Sequence, residues 1–271
     1  MRKLLFLGTE RPKLTIMSTT KIAREILRCE VGSTALGINL PGAADFDMMG
    51  VAVETPDSIL SISPSFEQSI TRTAEERDGK NAPSKPGDTD IVIYSLRKFA
   101  RLAARGNPSI LLLLFAPIIT ADMWGLCLRE HKEIFISREA GQSFLGYLRA
   151  QKERLLGERG GMKVTRSEIV AKYGYDVKYA AHAIRLGYQG HELLSTGNMT
   201  VPIPEPMRSF LLRVRNGIFS LRVIVAEIEH WENQLLKDMK QAELPPHAHT
   251  EKINDLLFRI HGEVWGYEGW L

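Results

Sequence analysis

The strand-like patterns of this chain are confined to its first half, and this asymmetry constrains the fold most. Segment 45–53 has polar residues at its entry and continues as a strand, and segment 90–94 is rich in β-branched residues. From about residue 138 onward, apolar residues recur at helical spacing. The sequence therefore predicts an α+β protein. A small mixed sheet with helices is expected over residues 1–137, and a helical domain over residues 138–271.

Helix signals bound most of the remaining segments. Ser95 and Asn107 are residue types that cap helices, and each precedes an apolar repeat. Residues 18–30 are predicted to form a short amphipathic helix, and residues 71–89 a polar loop that contains Pro and Gly. The helices predicted for the second half span residues 139–156, 166–173, 176–196, 205–214, 220–241 and 250–262.

Composition excludes several classes of protein. Among 271 residues, 35 Lys and Arg against 32 Asp and Glu give a net charge of +3, which is low for a dedicated DNA-binding domain. Neither Cys29 nor Cys127 lies in a Cys-x-x-Cys or Cys/His cluster, so two reduced thiols are expected rather than a zinc site. The apolar runs at Leu4–Leu7 and Ile110–Ile119 are too short for a signal peptide and a membrane span, respectively. We expect a soluble, cytoplasmic protein.

A run of small residues follows the first predicted helix. Gly32-Ser33 and Gly37 bound this run. Small residues allow backbone N–H groups to approach a phosphate closely, and the Ser33 hydroxyl adds a donor. Taken alone, a Gly-Ser pair is typical of an ordinary turn. It indicates a phosphate site only together with the residues that follow.

Three carboxylates come after this turn. Asp45 and Asp47 alternate along a predicted strand, so they project to one face, and Asp90 begins a later strand. Adjacent carboxylates repel unless a cation lies between them, and Mg²⁺ is commonly bound by carboxylates together with substrate phosphates. By itself Asp-x-Asp is typical of a solvated turn. With a phosphate cradle beside it and a third acid on a strand, it predicts metal-assisted phosphoryl transfer.

These motifs resemble the signature of a known superfamily. Gly32-Ser33, Gly37 and Asp45-x-Asp47 are similar to the Gly-Ser turn and acid pair of the DNA polymerase β-like nucleotidyltransferases. Further segments resemble the RlaP/YcgL-type predicted nucleotidyltransferases, namely 90–99, 106–109, 114–115, 172–175, 178–197 and 215–217. The resemblance covers about residues 31–240. One departure is Ala44, because the superfamily often has Ser before its first acid.

The resemblance implies a site and a chemistry. In that superfamily the Gly-Ser turn holds a nucleoside triphosphate and three acids hold two Mg²⁺ ions. Gly32 and Ser33 are thus expected to bind the nucleotide. Asp45, Asp47 and Asp90 are expected to be catalytic and to bind Mg²⁺, with Mn²⁺ as the alternative. Ala44 removes a hydroxyl contact but no metal ligand.

One predicted helix carries a basic face. Lys178, His182 and Arg185 are spaced at i, i+4 and i+7, so they share one side of the helix. The simpler interpretation is a solvated or ion-paired face. The resemblance favours nucleotide binding, so Lys178 and Arg185 are expected to face the three acids across a cleft between the domains.

The sequence does not distinguish between several acceptors of the nucleotide. The expected reaction moves a nucleoside monophosphate from an NTP to an acceptor hydroxyl, and the resemblance to proteins linked to RNA repair makes an RNA end the first choice. A protein side chain, a small-molecule hydroxyl, or tRNA modified by a toxin-like transferase fits the same residues. The alternative of another class is a catalytically silent nucleotide sensor or RNA-binding module. The retention of three repelling carboxylates argues against a silent module.

Overall fold

The computed structural model describes residues 21–42, 46–62, 64–80, 82, 87–158 and 166–266. It confirms the α+β prediction, because every strand of the described chain precedes Asp122 and helices follow. The five strands are β1 (Ile22–Val31), β2 (Phe46–Glu54), β3 (Gln68–Arg72), β4 (Thr89–Ser95) and β5 (Ile118–Ala121). They form one sheet in the order β3-β4-β2-β1-β5. Only the β2–β4 pairing is parallel among these strands, so the sheet is mixed.

The first strand corrects a prediction. Residues 18–30 were predicted to be helical, but β1 occupies Ile22–Val31 and pairs with β2 and β5. Leu27, Cys29 and Val31 are all buried, which is the alternation of a strand rather than the spacing of a helix. Pairing on both sides of β1 therefore overrides the local helical spacing. Residues 18–20 lie outside the described residues.

The helices of the second half agree with the predictions within a few residues. The described α-helices are α1 (Gly32–Ala35), α2 (Pro56–Leu60), α3 (Thr73–Asp78), α4 (Leu96–Ala104), α5 (Pro108–Leu111), α6 (Met123–Glu130), α7 (Glu139–Leu156), α8 (Ser167–Tyr173), α9 (Val177–Thr196), α10 (Met207–Arg215), α11 (Leu221–Gln241) and α12 (Thr250–Trp265). Ser95 and Asn107 cap α4 and α5 as expected, through bonds to backbone N–H groups. No helix in the described ranges is both long and apolar enough to cross a bilayer.

The helical half is built around the close packing of α7, α9 and α11. A Cβ atom added at Gly187 of α9 would lie 2.3 Å from Cβ of Trp231 on α11. One added at Gly190 would lie 2.9 Å from Cβ of Phe144 on α7. The two glycines thus allow α9 to lie directly against both neighbours, and this packing fixes the helix that carries the predicted basic face.

The segment between the acid-bearing strands is more ordered than predicted. Residues 71–89 were expected to form a loop, but the end of β3, all of α3 and the start of β4 lie within them. Arg77 of α3 binds the buried carboxylate of Asp88 at 2.5 Å, which ties α3 to the entrance of β4. This tie explains the order, because it gives a polar segment a buried anchor. Residues 81 and 83–86 lie outside the described residues.

The last described helix returns to the sheet. His261 Nε2 of α12 lies 3.2 Å from Oε2 of the buried Glu54, and the Trp265 indole N–H donates to the Glu54 carbonyl oxygen at 2.8 Å. The apolar core is continuous from β1 to α12. The predicted boundary between residues 137 and 138 falls just before α7, and the division into two domains stays a prediction.

Candidate active site

The glycine-bearing turn lies where β1 meets α1. Gly32 has φ +74°, and a Cβ atom there would lie 2.0 Å from Oδ2 of Asp47. No side chain other than hydrogen fits this position, because the Asp47 carboxylate already occupies the space. Ser33 follows on α1, and its carbonyl oxygen accepts from the Ile38 amide at 2.9 Å. The turn and the acid are therefore packed directly against each other.

The sheet brings two of the three predicted acids side by side. Asp47 near the start of β2 is the direct partner of Asp90 on the parallel strand β4. Because parallel partners project to the same face, both carboxylates lie at one edge of the sheet. Oδ1 of Asp90 is buried and accepts no hydrogen bond from the described residues, while Oδ2 lies 3.8 Å from Nε of Arg72. Asp45 lies outside the described residues.

The residues present fit a hard divalent cation. Carboxylate oxygens are the ligands that Mg²⁺ and Mn²⁺ take, and a buried carboxylate oxygen without a hydrogen-bond donor is the expected state of a ligand whose partner is a metal. The described residues contain no cluster of three His, Cys, Asp or Glu side chains suited to a metal. The acid pair Asp47 and Asp90 would need Asp45, which lies beyond the described ranges, to complete the predicted set.

Two adjoining cavities join the acids to the helical half. One, of about 280 Å³, is lined by Asp47, Asp90 and Arg185 among others. The second, of about 390 Å³, is lined by Ser33, Asp47, Lys178 and Arg185. Gly32, Leu36, Asp47, His182 and Arg185 line both cavities. The structure thus gathers every described residue of the predicted site around one cleft, with the sheet edge on one wall and α9 on the other.

The α9 wall of the cleft concentrates positive charge that no carboxylate of the described chain neutralises at Arg185. Burial, and then the charges of Arg185, Arg154 and Arg166, lower the pKa of His182 to about 3, so His182 is neutral near pH 7. Burial also lowers the pKa of Arg185 to about 10, which leaves it positive. No carboxylate of the described chain pairs with Arg185. It donates to the side-chain oxygen of the buried Gln189 at 2.6 Å instead. A bound phosphate would relieve this accumulation of positive charge.

Comparisons with known proteins identify the family of the chain. A family model described as RlaP, RNA repair pathway DNA polymerase beta family, matches residues 11–259. The chain belongs to that family. A search of curated proteins found no match. Among solved structures, a nucleotidyltransferase-like protein from Exiguobacterium sibiricum covers 89% of this chain and 74% of its own, at 10% identity and a TM-score of 0.28. The family match carries the assignment to a nucleotidyltransferase type.

Three polar residues that line the cleft were not among the site residues predicted for this RNA repair polymerase β-type chain. Arg72 and Ser109 line the cavity that contains Asp90, and Arg215 lines the cavity that contains Ser33. The guanidinium of Arg215 also donates to the Ile38 carbonyl oxygen, which joins α10 to the segment after α1. Arg72 lay in a segment predicted as a loop. Ser109 and Arg215 lay in segments noted only for their resemblance, so no local signal distinguished these three.

Proposed function

We propose that this protein transfers a nucleoside monophosphate from an NTP to an acceptor hydroxyl in a metal-dependent reaction. One observation carries the proposal. Asp47 and Asp90 face the cationic side chains of α9 across a cleft whose third side is the Gly32-Ser33 turn. Carboxylates alone would repel a triphosphate, and cations alone would not hold a metal. Their opposition across one cleft suits a metal–triphosphate complex.

The basic wall and the turn would hold the donor nucleotide. Lys178 and Arg185 would bind phosphate oxygens, and Arg185 has the planar geometry for a bidentate contact. Gln189 holds the Arg185 guanidinium in place before the nucleotide arrives. The Ser33 hydroxyl would donate to a further oxygen. The neutral His182 would donate or accept one hydrogen bond without adding a third positive charge to the α9 wall.

The acid edge would hold the metal and direct the acceptor. Asp45, Asp47 and Asp90 would bind Mg²⁺ or Mn²⁺, which when bound supplies charge neutralisation of the triphosphate and activation of the attacking oxygen. Asp90 would take the proton from the acceptor hydroxyl. The acceptor oxygen forms a bond to the α-phosphorus, the bond from that phosphorus to the bridging oxygen breaks, and pyrophosphate leaves.

We propose an RNA end as the acceptor. The family description names an RNA repair pathway, which supports RNA over a protein or small-molecule hydroxyl. A cytoplasmic location is part of the same proposal. Cys29 and Cys127 are both free in the structure, as expected for a reducing compartment.

The test is incubation with each of the four NTPs labelled at the α-phosphate, with Mg²⁺ or Mn²⁺ and either RNA or protein acceptors. We expect label to enter RNA with release of pyrophosphate, and chelation of the metal to stop it. Ser33→Ala should weaken NTP binding by about 0.5–1.5 kcal/mol, or up to about 3 kcal/mol if the hydroxyl contacts a charged oxygen. NTP binding without transfer to any acceptor would favour a silent nucleotide sensor and contradict the proposal.

A further inference from the structure

A second groove lies outside the cleft, between α4 and α12. Its volume is about 520 Å³, which exceeds that of either cavity of the active site. Residues 247–248, just before α12, close one end of it. Its charged and ionisable lining residues are Arg97, Arg101, Arg105, Glu139 and His247. The proposed transfer reaction uses none of them.

Three of these residues form a row of positive charge. Arg97, Arg101 and Arg105 are spaced at i, i+4 and i+8, so they follow one side of α4 at intervals of about 6 Å. All three are exposed, while Phe99 and Ala103 on the opposite side of the helix are buried. Arg101 binds Glu67 at 2.8 Å. The Arg97 and Arg105 guanidinium groups have no ion pair or hydrogen bond with any described residue.

The groove stays positive despite its one lining carboxylate. Oε2 of Glu139 lies 2.9 Å from Nδ1 of His247, so a neighbour within the groove already engages it. Two unpaired arginines therefore remain for a ligand. Their arrangement as a row along an open groove, rather than as a ring around one point, suits an extended polyanion better than a single phosphate.

The row leads toward the active site. Arg105 is followed by the turn at Gly106, and Asn107 then donates to the Tyr147 hydroxyl oxygen at 2.8 Å, which anchors this turn to α7. Ser109, four residues after Arg105, lines the cavity that contains Asp90. A chain of phosphates that followed the row would thus arrive beside the acid proposed to activate the acceptor hydroxyl.

We propose that this groove binds the phosphodiester backbone of the RNA acceptor and guides its end to Asp90. The inference rests on the proposed function only for the reaction at the end of the RNA. The binding itself is independent of catalysis. Backbone contacts of this kind position a strand without reading its bases, so recognition is expected to depend weakly on sequence and strongly on salt.

The experiment measures binding of a fluorescein-labelled single-stranded RNA of about 20 nucleotides, which is longer than a typical single-strand site. Fluorescence anisotropy is recorded at several salt concentrations between about 50 and 200 mM. The double variant Arg97→Ala/Arg105→Ala is compared with the wild type. Arg259→Ala is the matched control, because Arg259 is an equally exposed arginine of α12 that lines a different depression.

We expect the double variant to bind RNA at least about fivefold more weakly, and its slope of log K against log salt to fall by about 1.4, or 0.7 for each lost contact to a single strand. The control should retain both the affinity and the slope of wild type. Cross-linking of 4-thiouridine RNA to wild type should label α4 or residues 247–257, which tests the groove without any substitution. Unchanged affinity and slope in the double variant, or cross-links elsewhere only, would overturn the proposal and favour an acidic protein surface as the occupant.

The two proposals fail in different ways. RNA bound through the groove with no nucleotide transferred would contradict the proposed function and leave this inference standing. In the converse result, wild type transfers nucleotide to RNA while the double variant binds RNA as tightly as wild type does. That result would contradict the inference and leave the proposed function standing.

Discussion

The two walls of the cleft are held in place by different means. On the sheet wall, strand register sets Asp47 beside Asp90, and the missing Cβ of Gly32 leaves the space that the Asp47 carboxylate fills. On the α9 wall, long side chains carry the charge, and Arg185 is fixed by one hydrogen bond to Gln189. The backbone thus sets the positions of the carboxylates on the sheet wall. Side-chain contacts set the positions of the cationic groups on the α9 wall. Substitutions should therefore disrupt geometry on the sheet wall and charge balance on the α9 wall.

The largest expected effect is on the sheet wall. Asp47→Asn should reduce nucleotide transfer by at least about a hundredfold, because an amide replaces a proposed metal ligand whose charge stabilisation is worth several kcal/mol. The fold should persist, since removal of a charge beside Asp90 lowers repulsion. Label transfer and thermal unfolding measure the two effects. Asp57→Asn, at an exposed position of α2, is the control. Turnover near that of wild type at saturating metal would exclude Asp47 as a ligand.

A smaller effect separates backbone strain from steric conflict at the turn. Gly32→Ala should lower both transfer activity and the free energy of unfolding, because a methyl group would collide with Asp47. Gly42→Ala is the matched control, since Gly42 has φ +75° but no described atom within 4 Å of its added Cβ. Both variants carry the left-handed cost of about 1–2 kcal/mol. Chemical denaturation should show a further loss of about 1 kcal/mol or more for Gly32→Ala alone. Equal losses would mean that the Asp47 contact is unimportant.

The α9 wall should behave in the opposite way, with binding affected more than folding. Arg185→Ala should weaken NTP binding by about tenfold to a hundredfold, the value of one or two charged hydrogen bonds. Its free energy of unfolding should change by about 1 kcal/mol or less, because no described acid depends on this arginine. Calorimetry measures the NTP affinity, and chemical denaturation measures the free energy of unfolding. Lys237→Ala, at an exposed position of α11 that lines neither cavity of the cleft, should leave both values unchanged. A variant that unfolds readily but binds NTP normally would reverse the assignment of this wall.

The smallest expected effect is a pH dependence from His182. Its pKa falls from 6.5 to about 3 on folding, so the unfolded chain binds more protons between these values. The stability from a neutral His182 is therefore complete above about pH 6.5 and is lost as pH falls toward 3. Between pH 7 and pH 6 the loss should be about 0.7 kcal/mol, and His182→Gln should remove it. Denaturation at the two pH values measures this difference. An identical pH dependence in wild type and variant would show that His182 is not desolvated.

Much of the fold was readable from local sequence, because caps and apolar spacing act over a few residues. Ser95, Asn107 and the helices of the second half are examples. The strands were harder to predict. β1 carries Ile22 and Ile26 at helical spacing, and only its pairing with β2 and β5 makes it a strand. β5 has four residues and was hidden in an apolar run.

The candidate site divides in the same way. Gly32, Ser33, Asp47 and Asp90 could be selected because their spacing along the chain is itself the signal. Arg72, Ser109 and Arg215 reach the cleft only because the sheet register and the packing of α10 bring distant segments together. No short window of sequence contains that information. The roles proposed for Lys178, His182 and Arg185 stay predictions until binding is measured.

The contact between α12 and β2 has a consequence for the order of assembly. Glu54, at the end of the strand that carries Asp47, meets His261 and Trp265 across separations of 207 and 211 residues. Contacts so distant along the chain require a large loss of entropy before they form, so they are made late. During synthesis the acid-bearing strand would remain without this anchor until α12 had left the ribosome. The strand that carries Asp47 would therefore gain its full support, and the proposed transfer its full rate, only after residues 250–265 had emerged.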